Sequence, residues 1–352
     1  MANVRRTLLA ALSALALPAF ATGLAAQAAE RYSLAGDAVV IYNLAGSVRL
    51  EAGSGANVVV EVTRGGGDAA RLEVERREVG GRSALVVRYP DGDVVYRRGR
   101  WNGQTNMNVR DDGTFFGEGD RGARVNIRSS GRGTEAHADL RILVPAGKTV
   151  AVRLGVGDVG ASNVAGNLDI DVAAASVQTA GTRGDQRVDT GSGNVSVSDA
   201  QGDVLVDTGS GAVELNGVRG TDVHVDTGSG GVTGSAIAAT TVLVDTGSGA
   251  IELGDVAARI LELDTGSGSV ELQLTTDVER LRIDTGSGGV RISVPANLGA
   301  AIDVETGSGG ITVDVPMDVS RRGRDVLVGR IGDGRGSIEI DTGSGGVRIA
   351  RR

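Results

Sequence analysis

The chain has 352 residues, of which 40% are hydrophobic, 2% are aromatic and 57 are glycine. Its formal net charge of −8 argues against nucleic acid or an anionic lipid surface as the main partner, because both repel an acidic protein. The chain contains no cysteine, so disulfides are excluded. Because aromatic residues are scarce, any core is expected to be thin and aliphatic.

The first 28 residues are typical of a secretory signal peptide. Arg5 and Arg6 precede an apolar run over 8–24, and an Ala-Gln-Ala sequence that suits cleavage ends at residue 28. The alternative, a membrane anchor, is disfavoured by Pro18 and by the short, alanine-rich run. We therefore predict a mature chain outside the cytoplasm, in the periplasm, at the cell surface or secreted, with no membrane insertion after cleavage.

Residues 29–150 are predicted to form an irregular N-terminal β region that caps the fold. Alternating apolar and polar residues at Val39–Glu51 and Val58–Val62 indicate strands. All aromatic residues after the signal peptide lie before residue 117. Closing the open end of a repeat core is the simplest role for them.

The segment 90–135 within this region is rich in Gly, Asn, Arg and Asp and is predicted to be a long loop. Loops of this length are usually functional or disordered. Trp101, Phe115 and Phe116 are candidate ligand-binding residues, because an aromatic patch suits a glycan or a peptide. The alternatives are disorder and a hairpin at a sheet edge.

The sequence VDTGSG at Val188–Gly193 recurs along the second half of the chain. Successive acids are 18 to 21 residues apart until the last interval, which is 36 residues and close to two periods. The acids are Asp189, Asp207, Asp226, Asp245, Asp264, Asp284, Glu305 and Asp341. Self-similarity at a fixed period is the signature of a repeat architecture.

In each repeat, apolar and polar residues alternate on either side of the turn. For example, Leu261 and Leu263 flank Glu262. Such alternation indicates half-buried strands. A unit this short cannot bury its own apolar face, whereas stacking units at about 4.8 Å pairs each strand with its equivalents. We predict an all-β fold, a single-stranded parallel β-solenoid with about 18–21 residues per coil over 151–352.

The DTGSG corner is predicted to use glycine for positive φ angles, which a tight corner demands. The Asp and Thr side chains are expected to accept hydrogen bonds from nearby backbone amides. The alternation places each Asp outside and the following Thr inside, where a ladder of hydroxyls is expected.

The Asp-Thr-Gly-Ser sequence of the repeat resembles the catalytic loop of an aspartic protease. Catalysis by such a protease needs two carboxylates that share one proton. Tandem stacking gives a row of acids instead, and His137 and His224 are far apart in sequence. No catalytic residue and no cofactor is therefore predicted. Each turn offers one acid, so calcium is the less favoured alternative. Its ligands would come from Asp207, Asp226, Asp245, Asp264 and Asp284.

Two C-terminal segments depart from the repeat. The excursion over 316–335 interrupts the last period and is predicted to add a pair of strands. Arg348, Arg351 and Arg352 are expected at the exposed terminal edge of the sheet, where charge deters aggregation.

The chain resembles the bacterial "putative adhesin" family in three places. They are VVIYNLAGSVRL (Val39–Leu50), LRILVPAGKTVAVRLGVGDV (Leu140–Val159) and the repeated G-x-V-x-V coils. The resemblance implies an exported Gly/Val-rich β-solenoid related to the auto-transporter adhesin head domain.

The sequence thus predicts an exported, non-enzymatic binding scaffold at the surface or in the periplasm, with adhesion as a family implication. Its predicted partner is an envelope or surface protein or a glycan. The alternative is a cell-envelope stress or sensor component that acts by protein–protein contact.

Overall fold

The computed structural model describes residues 29–98, 101–116 and 122–352. These residues form strands almost throughout, with a short 3-10 helix at Ala69–Arg71. The prediction of an all-β, parallel solenoid is confirmed. No helix in the described ranges is long and apolar enough to cross a membrane. The predicted signal peptide, residues 1–28, lies outside the described residues.

The strands are numbered in chain order. The N-terminal part contains β1 (Glu30–Leu34), β2 (Ala38–Ala52), β3 (Val58–Gly65), β4 (Glu73–Val79), β5 (Arg82–Arg88), β6 (Val94–Val95), β7 (Gln104–Val109), β8 (Ala123–Arg128) and β9 (His137–Val144). The central part contains β10 (Thr149–Ser162), β11 (Asn167–Ala180), β12 (Gln186–Ser192), β13 (Val195–Ser198), β14 (Val204–Thr208), β15 (Val213–Asn216), β16 (Asp222–Thr227), β17 (Val232–Thr246), β18 (Ile251–Thr265) and β19 (Val270–Leu274). The C-terminal part contains β20 (Arg280–Thr285), β21 (Val290–Val294), β22 (Ala300–Thr306), β23 (Ile311–Asp314), β24 (Asp318–Arg322), β25 (Val326–Ile331), β26 (Gly336–Thr342) and β27 (Val347–Arg351).

Each coil contributes one strand to each of two faces. The first face carries the strand that ends in Asp-Thr, such as β14, and the second face carries the strand after the turn, such as β15. β14 pairs in parallel with β12 and β16, so that Asp207 lies between Asp189 and Asp226. β15 pairs likewise with β13 and β17. Equivalent residues of neighbouring coils are therefore stacked in register.

The core is a set of aliphatic columns between the two faces. In one coil, Val204, Val206, Val213 and Leu215 are all buried, while the intervening Glu214 is exposed. Each of these side chains stacks on its equivalents in the coils above and below. Burying one such side chain contributes about 1.5–3 kcal/mol. Repetition along the stack replaces the wide aromatic core that this chain lacks.

The threonines of the DTGSG corners lie inside, as the alternation predicts, and their hydroxyls join neighbouring coils. The Thr265 hydroxyl donates to the carbonyl oxygen of Gly249 in the preceding coil at 2.9 Å. It also accepts from the Gly268 amide of its own corner at 2.9 Å. The same two contacts recur at Thr227, Thr246, Thr285, Thr306 and Thr342. The hydroxyls thus bond backbone groups rather than one another.

Replacing Thr265 by valine is expected to destabilise the fold by about 2–4 kcal/mol. The shape is kept, but a buried Gly268 amide and a buried Gly249 carbonyl lose their partner, at about 1–3 kcal/mol each. Thr265→Ser keeps the hydroxyl and is the matched control, with a smaller loss. Urea unfolding of both variants measures the difference. Equal losses for serine and valine would show that the hydroxyl contributes nothing.

The corner glycines serve close packing, and the prediction that they all need positive φ is wrong. Gly230 has no positive φ, but a Cβ there would overlap the carbonyl oxygen of Gly211 in the preceding coil. Gly249 has the same relation to Gly230. Gly193, by contrast, combines a φ of 150° with the same close approach, to Ala175. Adjacent corners approach so closely that a side chain has no room.

The stack does not begin at β10, because further parallel strands lie beyond it. β2 pairs with β10 on one side and with β5 and β9 on the other, all in parallel. The stack therefore extends into the segment 29–150 that the sequence assigns to a cap. Beyond it, the antiparallel strands β4, β3 and β1 complete the end. Charged edge strands such as β4 (EVERREV) protect it from pairing with another sheet.

The C-terminal coil is interleaved between the two coils that precede it in sequence. β26 pairs with β20 on one side and with β22 on the other, and β27 lies between β21 and β23. The expectation that Arg348, Arg351 and Arg352 lie at the terminal edge of the sheet is therefore wrong. Arg348 pairs with Asp314 at 2.8 Å, and Arg352 pairs with Asp255. The excursion 316–335 forms β24 and β25, as the sequence predicts; β25 pairs antiparallel with β22 and β24 pairs with β25, so the two strands extend the first face at this end.

The described part of the segment 90–135 forms a three-stranded sheet rather than a structureless loop. β8 pairs with β6 and β7. This sheet packs on the outer side of the first coils, where Val40, Tyr42, Ala84, Val86 and Ala151 form a second apolar cluster with it. The solenoid is thus covered on one side near its N-terminal end.

Candidate binding surface

An acid column runs along the outer side of the first face. In stacking order it consists of Asp171, Asp189, Asp207, Asp226, Asp245, Asp264, Asp284, Asp341 and Glu305. Neighbouring acids are about 4.8 Å apart along the stack, which is the spacing between paired strands. Like charges this close repel one another.

Basic partners are few along the column, where Arg153 contacts Asp171 and Arg282 contacts Asp284, both at 3.9 Å. Burial raises the pKa of Asp171 to about 6, and the charges of Asp189 and Asp169 act in the same direction. Burial also raises the pKa of Asp189 and that of Asp264, and repulsion from neighbouring acids of the column adds to both shifts. The expected hydrogen bonds from the TGSG amides to these acids are not formed in the described coils. The inward threonine hydroxyl accepts from the corner amide instead.

One basic residue lies at the N-terminal end of the acid column. Arg153, which occupies the same place as the acids in the preceding coil, contacts Asp169 at 2.6 Å and Asp171 at 3.9 Å. Its side chain is largely buried. These contacts of Arg153 lower the repulsion between carboxylates at the N-terminal end of the acid column.

Replacing Asp171 by asparagine is expected to stabilise the protein at about pH 8 by on the order of 2 kcal/mol. The folded pKa of about 6 lies above the ordinary value of 3.8, so the folded carboxylate costs stability at high pH. That cost falls as the pH drops through 6 and is gone below 3.8. Melting temperatures of variant and wild type at about pH 8 and about pH 4 test this. A gain of the same size at both would contradict the assignment.

A second ladder on the same face holds the coils together, and the sequence analysis missed it. The Asn167 side-chain oxygen accepts from the Asp185 amide at 3.0 Å, and Asp185 accepts from the Asp203 amide at 3.1 Å. Asp203 in turn accepts from the amides of Thr221 and Asp222. The signal in the sequence is an Asn or Asp that directly follows glycine at 167, 185 and 203.

A shallow acidic groove of about 430 Å³ runs along this second ladder. It is defined here by Asp169, Asp185, Arg187, Asp203, Leu205, Asp222 and His224. A second depression of about 290 Å³ begins at His224 and continues past Leu243 and Asp264. The outer surface of the first face is therefore a predominantly acidic strip that also carries Leu205, Leu243 and the arginines Arg187 and Arg282.

The residue two positions before each acid of the column varies freely. In stacking order this variable column contains Asp169, Arg187, Leu205, His224, Leu243, Glu262, Arg282, Glu339 and Asp303. Both columns point outward from the same strands. The fold thus tolerates acidic, basic and apolar residues at an outward position of this face.

The three aromatic candidates lie in and around the second apolar cluster. Phe115 is buried, and its ring meets Tyr42 edge-on with centroids 5.5 Å apart. Phe116 contacts Phe115, and Trp101 lies 6.4 Å from Tyr96, both partly buried. The structure places all three at the second apolar cluster, where the Phe115 ring serves packing. Ligand binding by Trp101 and Phe116 stays a prediction.

The calcium alternative finds no cluster of metal-ligating side chains among the described residues. Among the described residues, no group of three or more His, Cys, Asp or Glu side chains is arranged to hold a metal ion. The two histidines occupy different settings. His137 is buried against Tyr96, and burial lowers its pKa, whereas His224 is exposed on the first face. Calcium binding by the acid column stays a prediction.

Comparison with known proteins gives the family. The sequence pattern of the Toastrack DUF4097 family matches residues 37–350. Curated proteins provide no match. The crystal structure of a "putative cell adhesion protein" from Clostridium sporogenes aligns over 92% of this chain and 100% of that chain, with 10% identity and a TM-score of 0.21. The family match spans nearly the whole described chain, and the protein therefore belongs to the Toastrack DUF4097 family.

Proposed function

We propose that the protein is an extracytoplasmic, non-enzymatic scaffold that binds an envelope or surface partner through the acid column. The column is repeated through nine coils, while the variable column beside it changes from coil to coil. The acids accept no hydrogen bond from their own corners, and burial raises the pKa of Asp171, Asp189 and Asp264, so that at these three positions the charged acid costs stability at neutral pH. Repetition that costs stability supports a role outside the fold.

Export is supported by the sequence at the N-terminus and by the resemblance to exported adhesins. The basic start, the apolar run and the Ala-Gln-Ala sequence together favour cleavage after residue 28. Adhesion is the role that the family resemblance implies. Protease treatment of intact cells tests the location. Degradation of the protein on whole cells supports the surface, and protection until the outer layer is opened supports the periplasm.

A non-enzymatic role is supported by the arrangement of the titratable groups. The acids lie in one straight column and do not face one another across a cleft, as a proton-sharing pair requires. His224 is flanked in its column by Leu205 and Leu243, and the structure gives it no nucleophile partner among the described hydrogen bonds. The geometry favours recognition over reaction.

The test is capture of partners from envelope extract by the immobilised mature protein. The variant Asp207→Asn, Asp245→Asn, Asp264→Asn removes three charges from the acid column. The control Glu214→Gln, Glu252→Gln, Glu271→Gln removes three charges from the second face of the same coils. We expect the first variant to lose the partner and the control to retain it.

Two results would overturn the proposal. Capture of the same partner by the acid-column variant would show that another surface makes the contact. Absence of any specific partner for the wild-type protein, with glycans of the envelope included as ligands, would remove the binding function itself.

A further inference from the structure

The acidic groove has an apolar floor and unpaired acids at its rim. Leu205 lies in the middle of the groove, partly exposed, at a position that faces outward. The rim carries Asp185, Asp203 and Asp222, and none of them pairs with a basic side chain in the described part of the chain. Arg187 also lines the groove, which therefore offers a small apolar contact flanked by one arginine and by three carboxylates that pair with no basic side chain of a described residue.

The β24–β25 hairpin has the complementary character. Arg321, Arg322 and Arg324 are exposed around its turn, and none of the three pairs with a carboxylate of a described residue. Val319 in β24 is 47% exposed and is the one large hydrophobic side chain that is exposed within the described ranges. Three unpaired arginines beside an exposed valine match the charge and the apolar centre of the groove.

The hairpin cannot reach the groove of its own chain. In stacking order, β16 is followed by β17, β18, β20, β26, β22, β25 and β24 on the first face. Seven steps of about 4.8 Å separate the groove from the hairpin by roughly 34 Å. The hairpin is anchored to β22 along its length. A contact between the two surfaces therefore requires a second copy.

We propose that the β24–β25 hairpin of one copy docks into the acidic groove of a second copy. The arginines of the hairpin pair with the rim aspartates, and Val319 packs on Leu205. Guanidinium groups suit this contact because they bind carboxylates in a bidentate manner. The contact joins two different surfaces, so a bound pair leaves one hairpin and one groove free for further copies. Self-association of this kind goes beyond the proposed envelope partner and does not depend on it.

The test is the oligomeric state of the purified mature protein, measured by sedimentation at low and high salt. We expect association that depends on concentration and is weakened by salt, because exposed charges are screened. Arg321→Glu, Arg322→Glu, Arg324→Glu is expected to raise the Kd at least about tenfold. The control is Arg49→Glu, Arg219→Glu, Arg291→Glu, which reverses three exposed arginines elsewhere and is expected to leave the Kd unchanged.

The groove variant is Asp185→Asn, Asp203→Asn, Asp222→Asn. It keeps the ladder between coils, since Asn167 already accepts a backbone amide in the equivalent place. Alone, the hairpin variant and the groove variant are each expected to be monomers. Their equimolar mixture is expected to form a one-to-one dimer, because one supplies an intact groove and the other an intact hairpin.

Three results would overturn the inference. The first is a wild-type protein that stays monomeric at low salt and at its highest soluble concentration. The second is a hairpin variant that associates as strongly as the wild type. The third is a mixture of the two variants that stays monomeric. Melting curves of each variant establish that it is folded, so that loss of association reports the contact.

Discussion

Replacing Gly230 by alanine is expected to destabilise the solenoid by about 3 kcal/mol or more, or to prevent folding. The added Cβ would overlap the carbonyl oxygen of Gly211, which belongs to the backbone and cannot rotate away. Relief requires separation of two coils that are held by paired strands on both faces. The same close approach recurs at Gly249, Gly268, Gly288, Gly309 and Gly345.

The matched control is the next residue, Gly231→Ala. A Cβ on Gly231 would have the Ala250 carbonyl oxygen as its nearest neighbour at 3.5 Å, which is an ordinary contact. The chain itself carries Ala212 and Ala250 at the equivalent place in other coils. Thermal unfolding of the two variants gives the comparison. Equal stabilities would mean that the corners do not stack as described.

Deleting the last coil, residues 336–352, is expected to destabilise more than its own segment. Removing the end coil of a solenoid normally uncovers one neighbour. Here the lost strands β26 and β27 are paired on both sides, so the coil before them and β22–β25 beyond them lose their partners together. We expect the amides of residues 300–331 to lose protection from hydrogen exchange in the truncated protein.

A cysteine pair tests the same arrangement without deletion. The chain has no cysteine of its own, so Asp284→Cys combined with Asp341→Cys gives an unambiguous pair. These residues are register partners in neighbouring strands and are expected to form a disulfide on mild oxidation. Asp284→Cys with Glu305→Cys is the control, two steps apart, and is expected to remain reduced. Cross-linking of the control alone would place the coils in sequential order.

The period and the alternation were sufficient to predict the stack and its register. Because the acids recur at 18 to 21 residues and side chains alternate around them, one register buries the inward aliphatic positions of every coil. The inward position of Thr265 follows from the same alternation. Its bond to Gly249 does not, because the close approach of two corners depends on the stacked geometry and not on one repeat.

The order of the last coils was not predictable from the repeat. Every coil offers the same register and the same aliphatic columns to either neighbour, so local sequence does not distinguish sequential from interleaved stacking. The interval of 36 residues shows that a segment is inserted, but the antiparallel pairing of β25 with β22 decides where the chain returns. That pairing depends on the hairpin, which has no counterpart among the repeats.

The three-stranded sheet that covers the first coils has a signal in the sequence, which the argument from alternating residues did not use. Val40, Tyr42, Ala84 and Val86 are apolar at outward positions, where the later coils carry acids in place of Tyr42 and a mixture of charged and apolar residues in place of Val40. Apolar residues on both faces of a strand indicate that both faces are covered. The covering sheet was not predicted from the sequence, because its strands β6, β7 and β8 are short and separated by turns rich in glycine and asparagine.

The most direct test of the stacked acid column is a set of three distances between spin labels on cysteines at Asp189, Asp264 and Glu305. Four coil steps separate Asp189 from Asp264, and three separate Asp264 from Glu305 through Asp284 and Asp341. At about 4.8 Å per step, the account predicts about 19 Å, about 14 Å and, for the outer pair, about 34 Å. An outer distance well below the sum of the other two would contradict it.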